Sequence, residues 1–140
     1  MSQPSVLIAG AGPTGLILAI TLLKNGVPVR LIDKDSKHRI GSKGAGIQPR
    51  TLKSYDILGI LPEILKCADK ELYRRRMYEL PAGIKVIKEL PMMEYVEPTT
   101  GMPHTNPVTI GQDLHEEILR EYLRELGRIF ELGTCRAGRL

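Results

Sequence analysis

The sequence predicts an α/β fold that opens with a strand–helix–strand unit, and three observations lead to this prediction. The apolar run from Val6 to Ala9 has the length of a buried strand and stops at a glycine-rich turn. A helical pattern follows at once and ends at Asn25-Gly26, a typical helix stop. Its apolar residues recur at helical spacing: Leu16, Ala19, Ile20 and Leu23. A second apolar run, Val29 to Ile32, ends at Asp33, so the stretch has roughly the ~30 residues of one Rossmann-like βαβ unit.

The glycine-rich turn carries Gly10, Gly12 and Gly15 at the spacing G-x-G-x-x-G. In a dinucleotide site the first glycine allows the tight turn, the second allows a phosphate to approach, and the third lets helix and strand pack closely. The helix that follows directs its positive dipole end at the same gap, which suits a diphosphate. Asp33 stands where a carboxylate can accept hydrogen bonds from ribose hydroxyls. A βαβ unit that binds nothing is the alternative.

The segment from Lys34 to Gly46 is basic, punctuated by glycine and without periodicity, which predicts a loop. Its lysines are either solvated surface residues or, in the case of Lys43, a cation that faces the same diphosphate. Two short helices follow, one opened by Pro49 and stopped by Gly59, the other from Pro62 to about Ala68.

From Tyr73 to Tyr95 the pattern changes to strand alternation, which predicts one or two strands of a small antiparallel excursion away from the nucleotide sheet. The triplet Arg74 to Arg76 is interpreted as a solvated strand edge in preference to a ligand site. Glu97 to Pro107 is predicted to be a loop, in which His104 has no partner at metal-ligand spacing.

The last third predicts a short strand from Val108 to Ile110 and a helix that begins near Gln112 and ends at Gly127. Ile129 to Leu132 is a candidate third parallel strand, and residues 135–140 form a polar tail. The predicted apolar face of the helix consists of Leu114, Ile118, Tyr122 or Leu123, and Leu126.

Composition excludes several functional classes. With 140 residues the chain has the size of one domain, and a net charge of +4 is too small for the dense basic face of a nucleic-acid groove. The apolar run Leu16 to Leu23 is too short to span a bilayer, so no membrane association is expected.

Cys67 and Cys135 form no C-x-x-C pair and favour a reducing compartment, hence a cytoplasmic location. P-loop and zinc-protease signatures do not occur.

Four stretches together carry a family resemblance: G-A-G-P-T-G-L from Gly10, Gly41-Ser42-Lys43, G-I-Q-P-R-T-L from Gly46, and the segment Val108 to Leu126. The chain resembles the N-terminal part of the flavin-dependent aromatic hydroxylases, the class A monooxygenases of the para-hydroxybenzoate hydroxylase type. The resemblance extends to about Thr134 and is densest in the first 60 residues. It implies an FAD-binding fold of the glutathione-reductase-like type over residues 1–134, interrupted by the β excursion at about 73–110.

The resemblance also implies the residues that bind the cofactor. Asp33, with Lys34 beside it, would hold the adenosine ribose. Lys43 stands where the family has an arginine that reaches FAD, and a lysine supplies a point charge without the bidentate fork. Gln112 matches a glutamine that contacts the ribityl region, although a polar residue at a helix start is the simpler interpretation. The residues that would cradle the FAD diphosphate are Gly10, Gly12, Pro13, Thr14 and Gly15.

The implied activity is that of an FAD-dependent, NAD(P)H-using monooxygenase that hydroxylates small aromatic or polyketide-like molecules. No residue of the chain is predicted to be catalytic, and none to bind a metal. The Gly-Asp and Asp-Gly motifs that the family uses for FAD and NAD(P)H do not occur, so we expect a fragment that is inactive alone. A non-catalytic dinucleotide-binding module or relic remains an alternative. An NAD(P)-dependent dehydrogenase is less well supported, because no Tyr-x-x-x-Lys pair occurs. The oligomeric state is left open.

Overall fold

Six strands and four helices make up the described residues of the computed structural model, which are 6–38, 40–41, 43–71 and 73–135. In chain order the elements are β1 (Val6–Ala9), α1 (Pro13–Lys24), β2 (Val29–Ile32), β3 (Gly46–Ile47), α2 (Pro49–Leu58), α3 (Leu61–Cys67), β4 (Arg74–Tyr78), β5 (Val86–Pro91), β6 (Val108–Thr109) and α4 (Gln112–Glu125). The predicted α/β fold is therefore confirmed. In the predicted tail, residues 136–140 lie outside the described residues, as does Ser42 of the stretch Gly41-Ser42-Lys43.

The parallel sheet is the one that the sequence predicts. β1 pairs with β2 in parallel, with Val6 opposite Val29 and Ala9 opposite Ile32. On the other side of β2, Ile32 forms a parallel bridge with Glu131, and the Asp33 backbone N–H donates to the Glu131 carbonyl at 2.8 Å. The predicted third parallel strand is thus confirmed in place and direction, but it is limited to this bridge.

The core lies where α1 packs against α4. α1 begins with Pro13 in its first turn, and its C-terminal cap at Asn25 is followed by Gly26 at φ +75°, as the sequence predicts. Each large apolar side chain that is fully buried contributes about 1.5–3 kcal/mol relative to an exposed one. The largest such residues are Leu16, Ile20, Ile60, Ile64, Leu119 and Leu123.

The predicted apolar face of α4 is partly wrong. Leu114 and Leu126 are exposed, at 39% and 37%, whereas Leu119 and Leu123 are almost fully buried. The buried stripe is rotated because α1 covers the other side of α4. Three polar residues on that side are also buried: His115, Glu116 and Arg120. Their burial costs little because each has a hydrogen-bond or ion-pair partner. These polar residues interrupt the apolar periodicity of the buried face, so hydropathy alone does not identify that face.

The predicted antiparallel excursion is confirmed. β4 and β5 form a two-stranded antiparallel sheet with Arg76 opposite Glu89. Glu89 accepts from Arg74 Nε at 2.6 Å and from Arg76 Nε at 2.7 Å. The arginines therefore lie on an exposed strand, as the sequence predicts.

A short antiparallel pair brings two distant parts of the chain together. β3 pairs with β6, with Ile47 opposite Val108, and the Ile110 N–H donates to the Ala45 carbonyl at 2.8 Å. The loop before β3 is thereby fixed beside the start of α4. No helix in the described ranges has both the length and the apolar content that crossing a bilayer requires.

Candidate functional site

The glycine-rich turn lies at the carboxyl end of β1, where the chain enters α1. Gly10 has φ +113°, a conformation that favours glycine, and its N–H donates to the Ile32 carbonyl at 2.7 Å. A Cβ atom on Gly15 would lie 1.9 Å from the carbonyl oxygen of Gly10. Both glycines are therefore required by the fold itself.

Gly12 is different. Its φ of −76° suits any residue, and apart from Gly12 itself and its two neighbours in the chain, no described atom lies within 4 Å of the position that a Cβ would occupy. Nothing in the described chain requires glycine here, whereas a phosphate that approaches the backbone would. The first turn of α1 bears no acidic side chain, so its positive dipole end is available to an anion. These features fit the diphosphate of a dinucleotide.

Asp33 is held against the same turn. Its Oδ2 accepts from the Ala11 N–H at 2.6 Å, and its Oδ1 accepts from the Asp35 N–H at 2.9 Å. The carboxylate therefore lies beside the glycine turn, 22 residues away in sequence. Lys34 is exposed next to it and lines one cleft together with Gly10 and Asp33.

Lys43 and Gln112, predicted separately, are in contact. The Lys43 backbone N–H donates to Gln112 Oε1 at 2.9 Å. Gln112 Nε2 in turn donates to Glu116 Oε1 at 2.8 Å, and Glu116 Oε2 lies 3.5 Å from Arg120 Nη1. The sequence did not indicate that Glu116 and Arg120 are buried beside the site, because charged residues spaced one turn apart on a helix normally lie on its solvated face.

Four neighbouring clefts surround the glycine turn. The largest, of about 700 Å³, is lined among others by Pro13, Thr14, Lys43 and Gln112. A second, of about 220 Å³, shares Lys43 and Gln112 with it and adds Gly12, Asp33 and Glu116. Every residue predicted to bind the cofactor lines at least one of the four. The structure therefore brings the nine predicted residues to one region.

A buried aromatic pair, which sequence reasoning also missed, lines the largest cleft. The Tyr55 hydroxyl and His115 Nε2 are 2.8 Å apart, and the two rings are tilted at 48°. Burial raises the pKa of Tyr55 to about 12 and lowers the pKa of His115 below its ordinary value. The phenol is therefore neutral near pH 7, and burial favours the neutral imidazole. Only the tertiary structure could reveal this pair, since its members are 60 residues apart.

His38 lies at the edge of the smaller cleft, with its ring 5.6 Å from that of Phe130. Partial burial lowers the pKa of His38, and the charges of Arg120 and Arg124 lower it further. Within the described ranges, no three His, Cys, Asp or Glu side chains are grouped closely enough to hold a metal ion.

Comparison with curated proteins finds flavin-dependent monooxygenases. The chain is 36% identical over 127 residues to a flavin-dependent monooxygenase of Mycobacteroides abscessus, covering 88% of this chain and 26% of that protein. It is 34% identical over 131 residues to the 6-methylpretetramide 4-monooxygenase of Streptomyces rimosus, covering 94% and 22%. The chain thus spans about a quarter of the length of these relatives.

Solved structures show the same fold. The flavin-dependent monooxygenase PieE, crystallised with FAD and substrate, matches with a TM-score of 0.72 at 21% identity, over 91% of this chain and 23% of that one. The p-nitrophenol 4-monooxygenase PnpA of Pseudomonas putida matches with a TM-score of 0.68 at 23% identity, over 91% and 30%.

A family model described as "FAD binding domain" matches residues 3–135, nearly the whole chain. The resemblance to flavin-dependent monooxygenases that the sequence predicts is thereby confirmed, and so is FAD as the cofactor of the family. The chain accordingly belongs to the FAD-binding-domain family of the flavin-dependent monooxygenases.

Proposed function

We propose that this chain is the FAD-binding portion of an NAD(P)H-using monooxygenase that hydroxylates small aromatic or polyketide-like molecules. One observation carries the proposal furthest: the space beside Gly12 is open, whereas Gly10 and Gly15 are required by the fold. A glycine that the fold does not require, at the positive end of a helix, fits a bound diphosphate that approaches the backbone closely.

Each site residue has a role in this proposal. Gly10, Gly12, Pro13, Thr14 and Gly15 surround the diphosphate, and Asp33 accepts from the adenosine ribose with Lys34 beside it. The carboxylate already lies at the turn through its bond to the Ala11 N–H. Lys43 supplies a positive charge near the diphosphate, and Gln112 lies at the junction of the two clefts where the ribityl chain would pass.

The chemistry of hydroxylation belongs to the cofactor, which when bound supplies the redox reaction with NAD(P)H and oxygen. The chain's own residues bind and orient the cofactor through backbone N–H groups, the Asp33 carboxylate and the Lys43 ammonium. None of the described residues is assigned a catalytic role.

Four finer assignments belong to the same proposal. The FAD-binding domain extends over residues 1–134, with the excursion at about 73–110, and does not include residues 135–140. The sheet is of the glutathione-reductase-like type, supported by the parallel order of β1, β2 and the Glu131 bridge. The substrate is a small aromatic molecule, as the names of several relatives suggest. The location is cytoplasmic, supported by the free thiols of Cys67 and Cys135.

Titration with FAD tests the binding, and NADPH consumption with a panel of phenols tests the activity. We expect FAD to bind and the 140-residue chain to show no coupled hydroxylation. FAD binding without turnover is also the result expected of a non-catalytic binding module, so activity is tested again in any longer product of the same gene. Absence of FAD binding by the folded chain would contradict the proposal.

A further inference from the structure

A buried polar network connects the cofactor site to the buried face of α4. Glu116 Oε1 accepts from Gln112 Nε2 at 2.8 Å, and Glu116 Oε2 lies 3.5 Å from Arg120 Nη1. The side chains of Glu116 and Arg120 are only 6% and 8% exposed. A buried ion pair contributes little net stability, because the loss of hydration offsets the attraction between the charges. Stability alone therefore does not account for a charged pair at this position.

The carboxylate of Glu116 determines the direction of the Gln112 amide. A glutamine amide can face either way, since its oxygen and its NH₂ group are similar in shape. A carboxylate only accepts hydrogen bonds, so it selects the NH₂ group of Gln112 and leaves the amide oxygen facing the Lys43 N–H at 2.9 Å. With the amide reversed, two donors would face each other at Lys43.

We propose that Glu116 is a positioning residue of the cofactor site, whose carboxylate fixes the Gln112 amide so that it holds the Lys43 backbone beside the clefts. The proposal rests on the proposed function, in which Lys43 and Gln112 contact FAD. Glu116 acts through Gln112, and Arg120 supplies the opposite charge. The consequence is that α4 determines the position of the loop around Lys43.

Two measurements test this role: hydrogen exchange of the Lys43 backbone amide by NMR in the free chain, and the Kd for FAD. In Glu116→Leu, as in Gln112→Ala, we expect the Lys43 amide to exchange at least about fivefold faster and the Kd to rise about tenfold, because each variant removes the charge-assisted hydrogen bond that fixes the Gln112 amide. The double variant Gln112→Ala/Glu116→Leu should lose no more Lys43 protection and no more FAD affinity than either single variant, since both substitutions interrupt one network. Glu117→Gln, an exposed neighbour on α4, is the control and should leave both values unchanged.

A reversal of the two groups separates positioning from packing. Glu116→Gln has nearly the shape of the original residue but can present either end of its amide, so we expect partial loss of Lys43 protection. In the double variant Gln112→Glu/Glu116→Gln, the carboxylate at position 112 can accept from both the Lys43 N–H and the new amide. Lys43 protection should then return, although the added negative charge near the diphosphate should still weaken FAD binding.

The proposal is overturned if folded Glu116→Leu shows the Lys43 exchange and the FAD affinity of the wild type, or if the reversed pair exchanges as fast as Glu116→Leu. Should Glu116→Leu not fold, Glu116→Gln and the reversed pair decide in the same way. A wild-type chain that does not bind FAD contradicts the proposed function, while the exchange of the Lys43 amide still decides the role of Glu116.

Discussion

A Cβ atom placed on Gly15 would lie 1.9 Å from the carbonyl oxygen of Gly10, well inside contact distance. This relationship explains why helix α1 can lie so close to the turn that follows β1. It also separates the three glycines into two that the fold requires and one, Gly12, that it does not. The distinction makes the stability and the affinity of the site separately testable.

Gly15→Ala should destabilise the folded chain. The new methyl group must displace a backbone carbonyl, which cannot rotate away as a side chain can, so we expect the free energy of unfolding to fall by roughly 2–4 kcal/mol. Chemical denaturation of the free chain measures this change. A stability equal to that of the wild type would show that the turn relaxes without cost.

Gly12→Ala should leave stability nearly unchanged and weaken FAD binding. The backbone at φ −76° accepts alanine, and the added methyl group meets no described atom beyond the two neighbouring residues in the chain, so the free energy of unfolding should shift by less than about 0.5 kcal/mol. The methyl group would occupy the path of the diphosphate, and we expect the Kd for FAD to rise at least about tenfold, or about 1.4 kcal/mol. Equal affinity of wild type and variant would remove Gly12 from the site.

Asp33→Asn and Asp33→Ala should weaken FAD binding to different degrees. Asparagine keeps one oxygen that can accept from the Ala11 N–H, whereas alanine keeps none. We expect the Kd to rise about tenfold or more for alanine and less for asparagine, since a hydrogen bond to a charged group contributes on the order of 1.5–3 kcal/mol. Isothermal titration calorimetry with FAD checks the order of the two Kd values. Asp56→Asn, an exposed carboxylate that pairs with His104, is the control and should bind FAD as the wild type does.

Lys43→Ala should weaken FAD binding in a way that depends on salt. The hydrogen bond to Gln112 uses the Lys43 backbone N–H and survives the substitution, so the variant loses only the ammonium charge. Because exposed charges are screened over about 8 Å at physiological ionic strength, the difference in affinity from the wild type should shrink as salt rises. Lys43→Arg should bind at least as tightly as the wild type, since the guanidinium restores a bidentate donor. A difference that is independent of salt would contradict the electrostatic role.

His115→Gln should flatten the pH dependence of stability in the acid range. Burial lowers the pKa of His115 in the folded state, so as the pH falls below its ordinary value of 6.5 the unfolded chain takes up a proton before the folded chain does. Stability is therefore lost as the pH falls, by at most about 1.4 kcal/mol per pH unit for one proton. Glutamine does not titrate and can still bond to Tyr55. Some slope should remain, because the pKa of His38 is lowered as well. Urea denaturation between pH 7 and pH 5 checks this.

Local patterns predicted the elements well where the signal lies in consecutive residues. The stops at Gly26 and Gly59 fall at left-handed φ values, and Pro49 opens α2. The face of α4 was predicted less well. Leu114 and Leu126 are apolar but exposed. Which face of a helix is buried depends on the element that packs against it, and α1 packs on the side of Leu119 and Leu123.

By itself, the sequence determined the βαβ unit, the spacing of its glycines and the family to which the chain belongs, because these follow from consecutive residues and from the spacing of short motifs along the chain. Only the tertiary structure decided that Gln112 meets Lys43 across 69 positions, and that Glu116 lies buried behind it. The physical reason is that hydrogen bonds and burial depend on distance in space, and the pairing of β3 with β6 brings these two segments together.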